Sequence, residues 1–488
     1  MLVRPRSEDE LAFALRRSAG RTVRPIGSSH SFTQLCVTED VQIDVSEMRR
    51  LISIDAQDRV RVQAGISLHE LNRTLLRHGL ALPNLGDIDV QTLAGAAATG
   101  THGTGLKFGN ISQTILSMRI MTADGTIHEL DDGDALRAAR ISLGALGVVT
   151  EFTLQCVPAF RLHRSQSVHD LDTVLADLPT LLADTDHLEL YLFPHTRRVL
   201  LLQSTRTDEA PWPRNPVKHW VERDLVENGA LGALMWTAGR LPAAAPRISK
   251  LVAALASSNE SQDESAAVFA SPRKVKFTEM EYSLPLTNAR EAIETALATI
   301  ERDRHQVAFP LEVRFTQADD ALLAPAYGRE SVYLAVHQTV HGSWESYFGG
   351  LEPILIGLGG RPHWGKRHTL TAQQLSERYP EWGTFQDIRA RLDPGGYVQR
   401  RISEPAARAG QPLNQGGGTG TAARSGSIGG RLAPAFSPPW AKSTGQSVCS
   451  GRESVAGTAT TEGRWCLPTQ SSFAIWIRLI PRIGAPPG

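Results

Sequence analysis

The apolar and polar positions of residues 1–157 alternate in short runs that predict strands and capped helices. Period-2 alternation is typical of half-buried strands, and S-x-x-E before an apolar run is typical of a helix N-terminus. The predicted elements are helices after the boxes at 7–10 and 67–70, strands at 21–26, 41–45 and 59–65, a hairpin over 115–130, and a strand within 142–157. This mixture predicts an α+β domain over residues 1–157.

The pattern changes after Pro158 and predicts a second α+β domain over residues 158–394. Two apolar runs that flank the sequence HTRR are expected to pair as a hairpin. The predicted elements are that hairpin over 187–193 and 199–204, strands at 274–285, 311–317 and 331–338, helices over 288–304 and 344–358, and two short helices within 374–392.

Residues 395–488 match neither pattern. They are rich in Gly, Ser, Pro and Ala, contain no Asp, and show no hydrophobic periodicity. Such a composition buries too little apolar area to offset the entropy lost on ordering. We expect a low-complexity tail that is disordered or, as a sharper hypothesis, an out-of-frame extension.

Composition narrows the class of protein. The 488 residues carry 51 basic and 51 acidic side chains, so no nucleic-acid-binding surface is indicated. The cysteines Cys36, Cys156, Cys449 and Cys466 have neither CxxC nor zinc-type spacing, which favours a reducing compartment and gives no sign of a metal site. No apolar stretch approaches the roughly 20 residues that span a bilayer. A cytoplasmic enzyme is expected, with peripheral membrane association left open.

Three loops of small residues lie in the first domain, at 26–31, 94–105 and 142–147. Neither G-x-G-x-x-G after a strand nor G-x-x-x-x-G-K-[ST] is present, so the Rossmann and P-loop signatures are absent. Small residues let backbone N–H groups approach an anion closely. Each loop alone could be a tight turn, but three in one domain favour a long ligand such as a dinucleotide.

The order of these loops resembles that of a known family. IGSSHSF, LPNLGDIDVQTLAGAAATGTHGTG and SLGALGVVTEFTL are similar to motifs of the vanillyl-alcohol-oxidase-type flavoproteins, and within them of the aldonolactone oxidoreductases and alditol oxidase. KFTEMEYSLP, FPLEVRF, PAYGRESVYLAVHQ and GRPHWGKRH resemble the substrate domain of that group. The resemblance covers about residues 3–394. It implies two domains, an FAD-binding domain of the PCMH type over 1–157 and an α+β substrate domain over 158–394.

The resemblance also implies a cofactor site for FAD. In covalent members of the family, the histidine at the position of His30 is bonded to the flavin 8α-methyl carbon; without that context, a loop histidine bonded to the backbone would be the simpler interpretation. The implied cofactor-binding residues are Gly27, Ser28, Ser29, His30, Ser31, Gly86, Thr92, Gly95, Ala96, Thr99, Gly100, Thr101, His102, Gly103, Gly144, Gly147, Val148 and Val149. Close packing remains the alternative for the small apolar ones. Gly86 also occupies the position that gates oxygen access in some relatives.

The second domain is expected to supply the substrate-binding side chains. Glu312 and Arg314 lie two apart on a predicted strand, so both point to one face. The resemblance implies that they and Lys366 act at the substrate, with the charged form of Lys366 disfavoured by Arg314. Asp87 and His337 replace a serine and a threonine that contact substrate in alditol oxidase. Trp364 could line the pocket or pack in the core.

The function implied by the resemblance is FAD-dependent oxidation of an aldono-1,4-lactone, of the L-gulono or D-arabinono type, at C2. A hydride would pass to flavin N5, and the electrons would go to oxygen or another carrier. An alditol oxidase and a degenerate, non-catalytic flavin-binding protein are the alternatives.

Overall fold

The computed structural model describes residues 1–213, 229–270 and 275–398. Within these ranges the first third of the chain forms two sheets and a short strand pair. A parallel sheet has the order β1-β3-β2, a five-stranded antiparallel sheet has the order β4-β5-β9-β7-β8, and β6 pairs with β10. The bounds are β1 Leu2–Val3, β2 Val23–Ile26, β3 Val41–Asp44, β4 Leu51–Ile54, β5 Arg59–Gln63, β6 Leu80–Ala81, β7 Ile115–Met121, β8 Ile127–Leu130, β9 Val148–Gln155 and β10 Val157–Pro158.

The later part of the chain is organised by one eight-stranded antiparallel sheet. Its order is β14-β11-β13-β12-β16-β17-β15-β18, so strands distant in sequence become neighbours. The bounds are β11 Arg161–Asp170, β12 His187–Leu192, β13 Arg198–Thr207, β14 Asn259–Glu264, β15 Phe277–Pro285, β16 Leu311–Thr316, β17 Ser331–Thr339 and β18 Arg361–Pro362.

Helices cover these sheets and connect the strands. Ser7, Ser67 and Thr92 each accept a hydrogen bond from a backbone N–H in the first turn of the helix that follows. The bounds are α1 Glu8–Arg17, α2 Leu68–Arg77, α3 Leu93–Ala98, α4 Gly133–Arg140, α5 Leu171–Asp184, α6 Leu231–Arg240, α7 Ala245–Leu255, α8 Ser265–Phe269, α9 Ala289–Arg302, α10 Trp344–Gly357, α11 Ala372–Ser376 and α12 Trp382–Leu392. Among the helices of the described ranges, none combines the length and apolar character needed to cross a bilayer.

The central strands of the large sheet are buried on both faces. One face of β15, β16 and β17 carries apolar side chains such as Met280, Val313 and Leu334, which join the main hydrophobic core. The helices α9 and α10 pack over β15 and β17. The opposite face carries polar side chains. Because these side chains are buried, they need hydrogen-bond or ion-pair partners within the protein, which side chains exposed to solvent would not need.

The glycine-rich segment after α3 is docked onto the large sheet. The N–H of Gly105 donates to the carbonyl of Phe315 at 2.6 Å, and the N–H of Phe315 donates to Thr104 Oγ1 at 3.1 Å. The loop that contains Phe32 makes a second contact of this kind: the N–H of Phe32 donates to the carbonyl of Gly365 at 2.7 Å. Loops from the first third of the chain therefore lie against the polar face of the large sheet.

The α+β prediction is confirmed, and so are both hairpins. The first turns at Asp124 and Gly125, where Gly125 has φ +84°, and the second pairs β12 with β13. Among the longer elements, the sequence missed β4, β11, β14 and the helices α3 to α8. The first part of the loop predicted at 94–105 belongs to α3, so that prediction is wrong for residues 94–98. The predicted strand at 274–285 begins at Phe277, and residue 274 lies outside the described ranges.

Only the start of the predicted tail falls within the described residues. Tyr397 accepts a hydrogen bond from the N–H of Val23 at 2.8 Å, and Val398 is fully buried. The expectation for the remainder, 399–488, lies outside the described residues. The domain limits at 157 and 394 stay predictions.

Candidate active site

The site is built by alternation along four neighbouring strands. Glu312 and Arg314 on β16 point to the polar face, as their spacing predicted, because side chains two apart share a face. The pairing register between neighbouring strands determines which side chains lie beside them. Arg314 lies opposite Glu189 on β12, and Glu279 lies opposite His337 between β15 and β17. Charged and polar groups from different parts of the sequence are therefore brought to one patch.

Arg314 is held by three carboxylates. Its Nε donates to Glu189 Oε1 at 2.7 Å, its Nη2 lies 2.5 Å from Glu312 Oε1, and Nη2 also bonds Asp87. Oxygen atoms of the three carboxylates lie within 4.8 Å of one another, and Arg314 is only 9% exposed. The guanidinium is fixed from two sides, since Asp87 comes from a loop of the first third of the chain.

Lys366, which is partly buried, forms a second ion pair with a buried carboxylate. Its Nζ lies 2.5 Å from Glu279 Oε2, and the other oxygen of Glu279 lies 3.6 Å from His337 Nε2. Burial lowers the pKa of Lys366, but Glu279 and then Glu281 outweigh burial, so the pKa is raised. The prediction that like charge disfavours the ammonium form is therefore wrong. The sequence-based argument considered Arg314 and overlooked the two glutamates on β15.

His102 connects the glycine-rich segment to the sheet. Its Nδ1 donates to the carbonyl of Gly103 at 2.9 Å, and its Nε2 lies 3.2 Å from Glu281 Oε1. The imidazole stacks on Tyr333 with ring centroids 3.7 Å apart. Burial raises the pKa of Glu281, but the contact with His102 and then the charge of Lys366 outweigh burial and the pKa is lowered, so this carboxylate is ionised.

The loop that contains His30 forms the opposite wall. Ser29 has a positive φ of 58°, and Ser28 Oγ donates to the carbonyl of Val90 at 2.8 Å, which ties the loop to the segment before α3. His30 is partly buried and lines the cleft beside Lys366. Burial and, second, the charge of Lys366 lower the pKa of His30, so its imidazole is neutral at neutral pH.

The small residues of this wall allow its two loops to approach each other closely. A Cβ on Gly27 would lie 2.4 Å from Thr92 Oγ1, and one on Gly95 would lie 3.0 Å from the same atom. A Cβ on Gly86 would lie 3.0 Å from the carbonyl oxygen of His102. Glycine is required at Gly27 and favoured at the other two positions. Two loops therefore meet backbone to backbone along one side of the cleft.

The cleft between the two walls opens to solvent, and the cleft together with its open mouth encloses about 720 Å³. Of the side chains predicted from the sequence, the structure brings eleven to its lining: His30, Ser31, Gly86, Asp87, Thr99, Thr101, His102, Glu312, Arg314, His337 and Lys366. The wall formed by the polar side chains of β12, β15, β16 and β17 together with His363 and Lys366 is called the polar wall. A cleft with small residues on one side and this polar wall on the other fits a large cofactor such as FAD beside a polar substrate.

Other predicted residues lie outside this lining and have packing contacts. A Cβ on Gly144 would lie 2.9 Å from Pro25 Cγ, and one on Gly147 would lie 2.5 Å from Ile120 Cγ2. Val148 is buried in the core of the small parallel sheet, and Val149 follows it on β9. A Cβ on Gly103 would lie 2.3 Å from Asn84 Oδ1. Trp364 packs in the core, where its Nε1 donates to the carbonyl of Leu323 at 2.7 Å.

Four residues of the polar wall were not predicted from the sequence: Glu189, Glu279, Glu281 and His363. One signal was present for the pair on β15. Glu279 and Glu281 alternate with apolar residues in the same way as Glu312 and Arg314. Glu189 also stands between two leucines, but the sequence does not show that it pairs with Arg314, which lies more than 100 positions away.

Comparison with known proteins identifies the chain. The sequence profile of the family described as D-arabinono-1,4-lactone oxidase matches residues 152–402, just over half of the chain, and that of the FAD binding domain matches residues 1–131. An L-gulono-1,4-lactone dehydrogenase of Mycobacterium tuberculosis is 43% identical over 396 residues, covering 80% of this chain and 92% of that protein. An L-gulonolactone oxidase of Mus musculus is 32% identical over 413 residues, covering 81% and 92%.

Solved structures show the same fold. A solvent-stable cholesterol oxidase superposes with a TM-score of 0.69 at 19% identity, covering 82% of this chain and 93% of the other. The fold and the cleft define an FAD-dependent oxidoreductase with the vanillyl-alcohol-oxidase-type architecture that the sequence predicted. The chain belongs to the aldonolactone oxidoreductase family.

Proposed function

We propose that the protein oxidises an aldono-1,4-lactone, of the L-gulono or D-arabinono type, at C2. The observation that carries this proposal is the polar wall, where the buried Arg314 and the partly buried Lys366 face the loops of the FAD-binding side. The names of the relatives support the choice of a lactone. FAD supplies the two-electron acceptor for the hydride that leaves C2.

Arg314 and Lys366 would orient the substrate and stabilise charge. The guanidinium, fixed by Glu189, Glu312 and Asp87, presents a rigid fork to lactone oxygens. Lys366 stays protonated because of Glu279, so its Nζ can donate a hydrogen bond to the C2 oxygen as that oxygen gains negative charge. Both cations are positioned before the substrate arrives, which lowers the reorganisation that the reaction requires.

The small-residue loops would hold the cofactor. Ser31, Thr99 and Thr101 of these loops line the cleft, so they would contact the cofactor. We also propose His30 as a covalent attachment point for the flavin. Its lowered pKa supports this role, since only a neutral imidazole has a lone pair with which to attack.

Anaerobic reduction of the bound flavin tests the function. The purified holoenzyme is mixed with a panel of aldonolactones and of alditols such as xylitol and sorbitol, and loss of flavin absorbance is followed. We expect lactones to bleach the flavin and alditols to leave it oxidised. Bleaching by alditols alone would indicate an alditol oxidase, and no bleaching by any sugar derivative would indicate a non-catalytic flavin-binding protein.

Acid precipitation tests the covalent link. We expect the yellow colour to remain with the denatured protein and to be released from a His30→Ala variant. Release of all the colour from the wild-type protein would refute attachment through His30.

A further inference from the structure

We propose that the cleft selects the uncharged, ring-closed lactone and excludes the aldonate anion that ring-opening hydrolysis of the same lactone produces. This inference rests on the proposed function. The two molecules carry the same carbon chain, so a site that recognises hydroxyl groups alone would bind both. The two molecules differ in charge, because the aldonate carries a carboxylate and the lactone is neutral. The polar wall carries more negative than positive side chains.

Carboxylates outnumber cations at the polar wall. Asp87, Glu279, Glu281 and Glu312 line the cleft, and Glu189 contacts Arg314 from behind. The two described lining residues that are cations at pH 7 are Arg314 and Lys366: burial lowers the pKa of Arg314 only to about 9, and the pKa of Lys366 is raised. Four carboxylates of the lining therefore face two such cations, and most of these groups are less than a tenth exposed, where charges are weakly screened.

Both cations already have partners. Lys366 Nζ lies 2.5 Å from Glu279, and Arg314 bonds Glu189, Glu312 and Asp87. To bind either cation through its carboxylate, an aldonate would have to displace one of these side chains. The displaced carboxylate would be left buried without its ion pair, which is strongly unfavourable. Hydroxyl and carbonyl oxygens of a neutral lactone can be accommodated without such displacement.

The histidines of the cleft do not reverse the balance. Burial lowers the pKa of His363 to about 4, and the pKa of His30 is also lowered, so both are neutral at pH 7. His102 and His337 also line the cleft. If both were counted as cations, four positive charges would match the four carboxylates of the lining, so the lining would still carry no net positive charge. The pyrophosphate of FAD carries further negative charge.

Two open-chain ligands separate the effect of charge from that of ring opening. L-gulonate and L-gulonamide share the opened chain and differ only in the charge of the terminal group. Each is tested with the holoenzyme at pH 7, as an inhibitor of L-gulono-1,4-lactone oxidation and by perturbation of the flavin absorbance spectrum. We expect L-gulonate to bind at least about 30-fold more weakly than L-gulonamide, because like charges are brought together in a poorly screened site. Equal binding would overturn the inference.

A variant tests whether the carboxylates cause the difference. Glu281→Gln removes one negative charge with little change in shape, and it should reduce the ratio of the two dissociation constants several-fold. Glu260→Gln makes the same chemical change at an exposed position and should leave the ratio unchanged. If Glu281→Gln fails to retain FAD, Asp87→Asn provides the same test. A ratio unchanged in both variants would contradict the inference.

The outcomes distinguish this inference from the proposed function. If neither the lactone nor L-gulonamide changes the flavin spectrum, the proposed function is wrong and the inference fails with it. If the lactone reduces the flavin while L-gulonate binds as well as L-gulonamide, the proposed function stands and only the inference is wrong.

Discussion

At the scale of single residues, the orientation of Arg314 depends on Glu189. The two are cross-strand partners, and Glu189 Oε1 accepts from Arg314 Nε at 2.7 Å in a buried setting. Removing one partner of a buried ion pair leaves the other charge uncompensated and costs about 3–5 kcal/mol.

We therefore predict that Glu189→Ala lowers kcat/KM for the lactone at least about 100-fold, with kcat reduced as well as KM raised. Glu189→Gln keeps an acceptor oxygen for Arg314 Nε and should retain more activity. The matched control is Glu151→Ala, which removes a carboxylate that pairs with Arg61 far from the cleft. Steady-state kinetics on FAD-loaded protein measure the effect. Activity of Glu189→Ala within threefold of wild type would show that Arg314 does not need this partner.

Glu279 has a different role, since it keeps Lys366 protonated. Burial alone lowers the pKa of Lys366, and Glu279 is the largest opposing influence. In Glu279→Gln the pKa of Lys366 should fall, so the ammonium form and the activity that depends on it are lost at lower pH than in wild type. The pH dependence of kcat/KM above pH 7 measures this. Superimposable alkaline limbs would contradict a role for Glu279 in maintaining the charge.

At the scale of elements, alternation was readable from the sequence and register was not. The E-x-R spacing on β16 correctly predicted that Glu312 and Arg314 share a face. That Glu189 lies opposite Arg314 depends on pairing between β12 and β16, which no local pattern specifies. The helix α5 was also not predicted; it contains Pro179, a residue that local sequence rules exclude from a helix interior. The pairing of β12 with β16 and the formation of α5 depend on contacts between residues distant in sequence, which local patterns do not show.

The junction between the His30 loop and α3 gives a prediction at this scale. A Cβ on Gly27 would lie 2.4 Å from Thr92 Oγ1, the atom that caps α3. Gly27→Ala should displace the cap, which costs about 0.5–2 kcal/mol, and separate the two loops. We expect lower FAD content and a Tm lowered by about 2 °C or more. Gly349→Ala, inside α10 with open space around it, is the matched control and should have no such effect. Full FAD content with an unchanged Tm in Gly27→Ala would contradict the proposed contact.

At the scale of the whole molecule, buried neutral histidines link stability to pH. Burial lowers the pKa of both His187 and His363 to about 4. Between about pH 6.5 and 4 the unfolded chain binds protons at these positions and the folded chain does not, so stability is lost as pH falls through this range. Burial raises the pKa of Asp319 to about 6, so the folded chain binds a proton there at a higher pH than the unfolded chain does. Asp319 therefore adds stability as pH falls and offsets the loss caused by one of the two histidines.

We predict that Tm is highest above pH 6.5 and falls as pH is lowered to 4.5. His187→Gln can retain the donor to the carbonyl of Thr104 without titrating, so the fall should be shallower in this variant. His78→Gln, at an exposed position, should leave the slope unchanged. Thermal unfolding at a series of pH values measures all three proteins. Identical slopes for wild type and His187→Gln would contradict the assignment.

The central claim is that this cleft removes hydrogen from C2 of an aldonolactone, and an isotope effect tests it most directly. The FAD-loaded protein is mixed anaerobically with L-gulono-1,4-lactone carrying either hydrogen or deuterium at C2, and the rate of flavin bleaching is compared. We predict slower bleaching with the deuterated lactone, since the C2–H bond breaks as the flavin is reduced. Equal rates with the two lactones, or no bleaching by either, would contradict the claim.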